Sequence, residues 1–162
     1  MTVANIGIHP LSQSDHDWVA RRTAENWGAE IVVAHGTVFR PADLPGFYAE
    51  AAGEKLGLLT YHIDGESCEI VSIEAWQEGL GIGTVLIEAA RHAAIQAGCH
   101  RLWLITTNDN TNALRFYQKR GFSIAAIHIN ALEYSRKLKP EIPVLGNDGI
   151  PIRDEIELEM KI

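Results

Sequence analysis

The sequence has few cysteines, no long apolar run and no excess of positive charge. Cys68 and Cys99 are its only cysteines, and neither belongs to a C-x-x-C pair, so their spacing gives no metal-binding motif. The N-terminus lacks a basic segment followed by an apolar one, and no apolar run approaches the roughly 20 residues that span a bilayer. These absences argue against export and membrane insertion, and we expect a cytoplasmic protein.

The net charge is −7 at pH 7, so no overall basic field attracts nucleic acid. What the sequence does contain is ordinary for a globular protein: of its 162 residues, 46% are hydrophobic and 22% are charged. A chain of this length can bury a core without disulfides. We therefore expect a single domain over residues 1–162 that binds neither nucleic acid nor a membrane.

Hydrophobic periodicity predicts a strand-rich first half followed by alternating strands and helices. The predicted strands are Val3–Ile8, Gly46–Ala52, Lys55–Ile63, Cys68–Ala75, Arg101–Thr106, Phe122–Ile129 and Glu155–Ile162. The predicted helices begin near Leu11, after the glycine-rich loop that follows Ala75, at Asn110 and at Asn130. This order predicts an α/β (α+β) sandwich, in which helices flank a central mixed, mostly antiparallel sheet.

The glycine-rich loop separates a predicted strand from a predicted helix and reads Glu78-Gly79-Leu80-Gly81-Ile82-Gly83-Thr84. A helix N-terminus offers unpaired N–H groups and partial positive charge, and glycines let the backbone approach an anion. The loop therefore predicts a phosphate or pyrophosphate cradle, although a tight turn without a ligand would use the same residues. The G-x-G-x-G spacing fits neither the Walker motif nor the dinucleotide motif G-x-G-x-x-G.

A second motif lies downstream of this loop. Asn110, Ala113, Phe116, Tyr117, Gly121 and Phe122 fit the pattern Asn-x-x-Ala-x-x-Phe-Tyr-x-x-x-Gly-Phe. Together with the loop, which fits Gln/Arg-x-x-Gly-x-Gly/Ala except at its first position, this motif resembles the GNAT superfamily of N-acetyltransferases. The part that carries the resemblance spans residues 69–122.

The first position of the loop motif departs from the family, because Glu78 stands where Gln or Arg is usual. A carboxylate close to a pyrophosphate is unfavourable. Either Glu78 points away and backbone N–H groups hold the anion, or Gln77 takes the role of the usual side chain.

The resemblance implies an acetyl-CoA-dependent acyltransferase whose sheet is splayed between two adjacent parallel strands, Glu69–Ala75 and Arg101–Thr106. The pantetheine arm is then expected to lie along the first of them like an added strand, with a backbone N–H near Ile73 or Glu74 polarising the thioester carbonyl. The residues expected to bind acetyl-CoA are Ile73, Gly79, Leu80, Gly81, Ile82, Gly83, Thr84, Asn110 and Ala113. Simple helix capping is the alternative for Asn110, and no metal is expected.

Acetyl transfer to an amine needs a proton donor for the leaving thiolate and a base for the amine. Tyr117 resembles the family's general acid, although packing on a helix face would also explain it. Glu69 and Glu74 are the candidate bases, with water or solvated strand carboxylates as the alternatives. Glu69 lies in a Glu-Ile-Val setting similar to that of the basic glutamate of histone acetyltransferases, but closer to the glycine loop. In a regular strand Glu69 and Glu74 lie on opposite faces and cannot share a cleft.

Residues 130–153 form a long insert between the last two predicted strands. Connections of this length are usually functional or disordered, and we expect this one to cover the acceptor pocket or to make a homodimer contact. Arg115, Lys119 and Arg120 are available for CoA phosphates, but a solvated helix face explains each of them equally well. The acceptor itself is expected to be an amine of a small molecule or a peptide.

Three functions are compatible with these motifs. The first is an N-acyltransferase that moves an acetyl group from acetyl-CoA to a primary amine by direct attack in a ternary complex. The second is a GNAT-like module that binds acyl-CoA or another ligand without turnover. The third, a nucleotide-linked oxidoreductase, has only the glycine loop in its favour, because its acidic residue would be Asp109, inside the second motif. Tyr117 and the intact loop favour the first.

Overall fold

The structure is a computed structural model that describes residues 5–162. Its strands are β1 (Gly7–Pro10), β2 (Val32–Ala34), β3 (Thr37–Phe39), β4 (Gly46–Ala51), β5 (Glu54–Asp64), β6 (Ser67–Ala75), β7 (Arg101–Thr107), β8 (Ser123–His128) and β9 (Glu155–Lys161). Its helices are α1 (His16–Trp27), α2 (Ile82–Gln96), α3 (Thr111–Lys119) and α4 (Ala131–Leu138). None of these helices is long and apolar enough to cross a membrane.

Seven strands form one sheet in the order β1-β4-β5-β6-β7-β9-β8, and β2 pairs with β3 in a separate hairpin. Every neighbouring pair in the large sheet is antiparallel except β6 and β7. The predicted mixed sandwich is therefore confirmed. The first strand was predicted over Val3–Ile8. Residues 3 and 4 lie outside the described part, and β1 covers Gly7–Pro10.

One face of the sheet is covered by α2 and α3. Leu86, Ala90 and Ala94 recur every fourth residue along α2 and are fully buried. They share one apolar cluster with Leu59 of β5 and Leu102 of β7. The four-residue period of α2 and the alternation along the strands are the patterns that the sequence predicted, and they pack α2 on the central strands.

The opposite face is covered by α1, the β2–β3 hairpin and α4. Val19 of α1 and Phe39 of β3 are buried there. At the end of α4, the Lys139 ammonium donates a 2.9 Å hydrogen bond to the carbonyl oxygen of Ile31, just before β2. The insert therefore contains a packed helix, and it adds to the layer that covers this face.

The parallel strands β6 and β7 separate part-way along their length. They pair from Ser67 with Arg101 to Ile70 with Leu104, and the pairing ends there. On their other edges β6 stays paired with β5 up to Ala75, and β7 stays paired with β9. The expected splay is present, and backbone groups along the second half of β6 are left without a strand neighbour on that side.

A β-bulge at Val71 overturns the prediction about the two glutamates. Thr60 of β5 faces Ser72 and Tyr61 faces Ile70, so Val71 is an extra residue in β6. A bulge shifts the alternation of side chains by one position. Glu69 and Glu74 consequently lie on the same face of the sheet, the face covered by α1 and the hairpin, because the strand is not regular.

Candidate active site

The glycine-rich loop leads directly into the N-terminus of α2. The first helical hydrogen bond runs from Val85 N to Gly81 O at 3.1 Å. The N–H groups from Gly81 to Thr84 therefore have no intrahelical partner, and the helix dipole adds partial positive charge at the same point. The predicted cradle residues Gly79, Leu80, Gly81, Ile82, Gly83 and Thr84 are all placed at this helix start.

The three glycines of the loop serve two different physical purposes. Gly79 and Gly81 have φ of +78° and +72°, which side chains with a Cβ rarely adopt, and a Cβ on either would meet open space. Gly83 is helical, and a Cβ there would lie 2.9 Å from Phe116 Cζ. The first two glycines shape the turn around a site open to solvent, whereas the third lets α3 pack against α2.

The second motif folds as α3 and packs against this helix start. Asn110 is the N-cap of α3, and its side-chain oxygen accepts a 3.1 Å hydrogen bond from Ala113 N. The capping alternative considered for Asn110 is thus realised in the structure. Ala113 packs against the main apolar cluster, so the motif fixes the approach of α3 to α2.

Tyr117 lies on the buried side of α3. Its ring packs edge-on against Phe116 and Phe122, with centroids 5.2 and 5.5 Å away, and the residue is 7% exposed. Burial raises the pKa of the Tyr117 phenol, because the phenolate loses hydration. Tyr117 is therefore held protonated at neutral pH, which is the state a general acid needs before it donates.

Glu74 lies in the part of β6 that has separated from β7. Its Oε2 atom and the Nε atom of Arg22 are 4.0 Å apart, and both are buried without a hydrogen-bond partner within residues 5–162. The Arg22 guanidinium stacks 4.2 Å from the centroid of the Trp76 ring. Burial raises the pKa of Glu74, and the positive charge of Arg22 opposes that rise. Glu74 is a carboxylate with a lone pair still available.

Glu69 lies at the paired end of β6 and is already engaged. Nε2 of His35, from the turn of the β2–β3 hairpin, lies 2.8 and 2.9 Å from its two carboxylate oxygens. The backbone N–H of His35 donates to the buried Glu155 carboxylate at 3.2 Å, and its ring packs 5.1 Å from Trp103. The hydrogen bond to Glu69 raises the pKa of His35, and this contact fastens the hairpin to the sheet.

Comparisons with known proteins identify the family. The sequence matches the family described as "Acetyltransferase (GNAT) family" over residues 12–122. The chain belongs to the GNAT acetyltransferase family. It is also 48% identical over 134 residues to Uncharacterized protein YdhI of Bacillus subtilis (strain 168), a match that covers 82% of this chain and 84% of that protein.

Solved structures share the GNAT fold. An IAA acetyltransferase from Bacillus cereus ATCC 14579 superimposes with a TM-score of 0.71 at 20% identity, over 98% of this chain and 100% of the other. A GNAT family acetyltransferase from Elizabethkingia anophelis, solved with acetyl-CoA bound, gives 0.70 at 24% identity, over 98% and 99%. At these identities the likeness shows the fold.

The predicted GNAT residues form two groups in the structure. The loop, Thr84, Asn110, Ala113 and Tyr117 lie where α2 and α3 pack together. Glu69 and Glu74 lie on the sheet face opposite these helices, and Ile73, whose side chain contacts the main cluster, belongs to the separated stretch of β6. The separation of β6 from β7 is the opening in the sheet between the two groups.

Sequence reasoning missed three residues of this site. They come from distant parts of the chain and meet only through the fold: Arg22 lies near Glu74, His35 contacts Glu69, and Glu155 accepts from the backbone N–H of His35. The one local signal was the pair His35-Gly36 between β-branched runs, since both residues have positive φ in a tight turn. Within residues 5–162, no three His, Cys, Asp or Glu side chains are grouped closely enough to hold a metal ion.

A cavity of about 350 Å³ lies away from these groups. It is lined by Leu11, Ser12, Gln13, His16, Val19 and residues 42–45, between the start of α1 and the turn that precedes β4. None of the predicted site residues lines it. The cavity therefore does not mark the predicted CoA site.

The hydrogen bond between His35 and Glu69 predicts a pH-dependent contribution to stability. Because the folded state raises the pKa of His35 above its ordinary value of about 6.5, the contribution is complete below that pH. It is lost as the pH rises through the higher, folded pKa. We expect the melting temperature of the protein to exceed that of His35→Asn by a few degrees near pH 6, and this difference to shrink toward about pH 9.

Thermal unfolding at several pH values measures this difference. His62 faces Glu69 across the β5–β6 pair, and Phe39 contacts its ring, which makes His62→Asn a matched control. A pH dependence that is larger in His35→Asn than in His62→Asn would belong to the hydrogen bond between His35 and Glu69. A gap between His35→Asn and wild type that stays constant from pH 6 to about pH 9 would rule out this contribution.

Proposed function

We propose that the protein is an N-acyltransferase that moves an acetyl group from acetyl-CoA to a primary amine by direct attack in a ternary complex. The observation that carries the proposal is the opening between β6 and β7 beside the N-terminus of α2. An opened strand edge offers hydrogen bonds to an extended pantetheine arm, and the helix start suits a pyrophosphate. Acetyl-CoA supplies the activated thioester.

In this reaction the amine nitrogen bonds to the thioester carbonyl carbon, and the carbon–sulfur bond breaks. A backbone N–H near Ile73 or Glu74, in the stretch of β6 without a neighbour, stabilises the negative charge that develops on the carbonyl oxygen. The ammonium proton passes to a base, and the departing thiolate takes a proton from an acid. The products are an amide and CoA.

Of the two candidate bases, Glu74 is the better placed. Both oxygens of Glu69 are within hydrogen-bonding distance of His35, so this carboxylate already has a partner. Glu74 has an unpartnered oxygen, and burial raises its pKa. A carboxylate with a raised pKa is a stronger base toward the ammonium group. Glu74 therefore takes the amine proton, and Glu69 holds the hairpin in place.

Tyr117 donates the proton to the thiolate in this proposal. Its phenol is protonated at neutral pH, and it follows Phe116, whose ring lies against Gly83 at the start of α2. Burial makes the phenol a weaker acid, so the transfer depends on the two groups being in direct contact while the carbon–sulfur bond breaks.

The cysteines favour direct transfer over an acyl-cysteine intermediate. Cys68 is fully buried, and burial raises its thiol pKa to about 12. Cys99 is also buried, and burial raises its pKa. A thiol must ionise to act as a nucleophile. Neither cysteine in this fold is suited to accept the acetyl group.

The insert forms one wall of the acceptor side in this proposal. Helix α4 packs on β2, and β2 leads to His35, which contacts Glu69. The remainder of the insert is fastened to the β7–α3 connection, where the buried Asp109 carboxylate accepts a 3.0 Å hydrogen bond from Asn147 N. These contacts favour a covering role for residues 130–153 rather than a homodimer contact.

The proposal is tested by release of free thiol from acetyl-CoA in the presence of a panel of amines. The panel holds alkylamines, amino-acid amides, aminoglycosides, and peptides with a free N-terminus or lysine. Thermal shift with CoA measures binding alongside. We expect stabilisation by CoA together with thiol release for at least one amine class. CoA binding without release for any class would favour the non-catalytic module, and neither effect would reject both functions.

A further inference from the structure

The start of α2 lacks a charged partner for an anion in its own sequence. No acidic or basic residue lies in the first turn of the helix. The motif position that usually carries Gln or Arg holds the exposed Glu78, which disfavours a nearby pyrophosphate. Backbone N–H groups and the helix dipole supply only partial charges. A cation from another element would complete the site.

Arg120 reaches this helix start from the end of α3. Its Nε atom donates a 2.8 Å hydrogen bond to Thr84 Oγ1, in the first turn of α2. One of its terminal nitrogens donates a 2.9 Å hydrogen bond to the carbonyl oxygen of Phe116, and the guanidinium lies 3.5 Å from the centroid of the Phe116 ring. The same ring lies against Gly83. Arg120 is therefore held by these contacts beside Gly83 and Thr84, in the first turn of α2.

The hydrogen bond also orients the Thr84 hydroxyl. A hydroxyl has a single proton to donate, and its oxygen here accepts from Arg120. Within residues 5–162 the Thr84 hydroxyl has no hydrogen-bond acceptor. Its proton is therefore available on the side away from the guanidinium. The second terminal nitrogen of Arg120 likewise makes no hydrogen bond in the described part of the chain, and a guanidinium can serve several acceptors at once.

We infer that Arg120 is the cation that binds the CoA pyrophosphate, together with the Thr84 hydroxyl and the N–H groups at the start of α2. Arg120 thereby compensates for Glu78. This inference rests on the proposed function, because it takes CoA as the ligand of the loop. It assigns the role to one of three cations on this part of the chain that the sequence leaves equivalent, Arg115, Lys119 and Arg120.

The other two cations provide matched controls. Arg115 and Lys119 are exposed, and neither has a hydrogen bond or ion pair within the described residues. Arg115→Gln removes the same charge from the same helix, five residues earlier. A ligand held mainly by the general positive charge of α3 would respond equally to both substitutions, whereas a ligand in contact with Arg120 responds to one.

Isothermal titration with CoA and with dephospho-CoA tests the inference without requiring an acceptor. We expect Arg120→Gln to weaken both ligands by the same factor, about tenfold to hundredfold, as for loss of a hydrogen bond to a charged group. The decrease in affinity with rising salt should also become less steep, because one ionic contact is gone. Arg115→Gln should change either affinity by less than about twofold, and Arg120→Lys should recover part of the loss.

Three results separate the possible failures. If the wild-type protein binds neither ligand, the proposed function fails before Arg120 is considered. If the wild type binds and Arg120→Gln binds equally well, the pyrophosphate role of Arg120 is wrong. If Arg120→Gln weakens CoA but not dephospho-CoA, Arg120 contacts the 3′-phosphate, and the inference is overturned. Thermal unfolding of each variant verifies that the fold is intact, and Arg120→Lys retains a cation there if Arg120→Gln is unstable.

Discussion

Replacing Glu74 with Gln is expected to slow acetyl transfer by about 10²- to 10⁴-fold, the usual contribution of a positioned general base. Glutamine preserves the size and a hydrogen-bonding oxygen but cannot take the amine proton. The measurement is kcat/KM with the amine that the panel identifies as the best acceptor. The acid limb of its pH profile should also disappear, because that limb reports protonation of the base.

The matched control for this prediction is Glu69→Gln, on the same strand and the same face. It removes the partner of His35, so it should lower stability and alter the KM for the amine more than kcat. A large loss of kcat in Glu69→Gln with near-normal activity in Glu74→Gln would reverse the two assignments. Unfolding data measure the structural effect of Glu74→Gln separately, because this substitution leaves the buried Nε atom of Arg22 without its neighbouring negative charge.

Tyr117→Phe carries the second-largest expected effect. The ring keeps its contacts with Phe116 and Phe122, and only the hydroxyl is lost. We expect kcat to fall by about ten- to ten-thousand-fold while the affinity for CoA stays within about twofold of wild type. Single-turnover measurements with acetyl-CoA separate this chemical step from product release.

The loss of kcat in Tyr117→Phe should not depend on the structure of the acceptor, because the hydroxyl acts on the leaving thiolate. The loss should therefore be similar for every amine that is turned over. The thiolate of a more acidic thiol leaves with less need of a proton. The difference in kcat between Tyr117→Phe and wild type should therefore narrow with such a thioester as donor. Unchanged kinetics with acetyl-CoA would leave Tyr117 as a packing residue only.

The sequence was informative wherever the structure follows a local period. Alternation in the strands and the four-residue spacing of Leu86, Ala90 and Ala94 predict the sheet and its apolar layer. The two motifs predict the glycine loop and α3, and the family resemblance predicts the separation of β6 and β7, which the structure confirms. These features depend on residues close together in sequence or on a recurring motif.

The remaining features of the site depend on contacts between distant residues. Nothing in the local sequence relates His35 to Glu69 or Arg22 to Glu74, because only the docking of the hairpin and α1 brings them together. The extra residue at Val71 gives no local signal either, because valine also suits a regular strand. A strict alternation of side chains along the strand therefore placed the glutamates on opposite faces. The error arose because residue propensities do not reveal the position of the bulge.

The bulge has a consequence for comparing relatives. Glu69 and Glu74 are five positions apart, an odd separation that a single additional residue converts into a shared face. In a homologue without that residue, the equivalent carboxylate would stand four positions after the first glutamate. Column-by-column alignment would then score a preserved carboxylate as lost. Homologues of this chain are better matched by sheet face than by residue number.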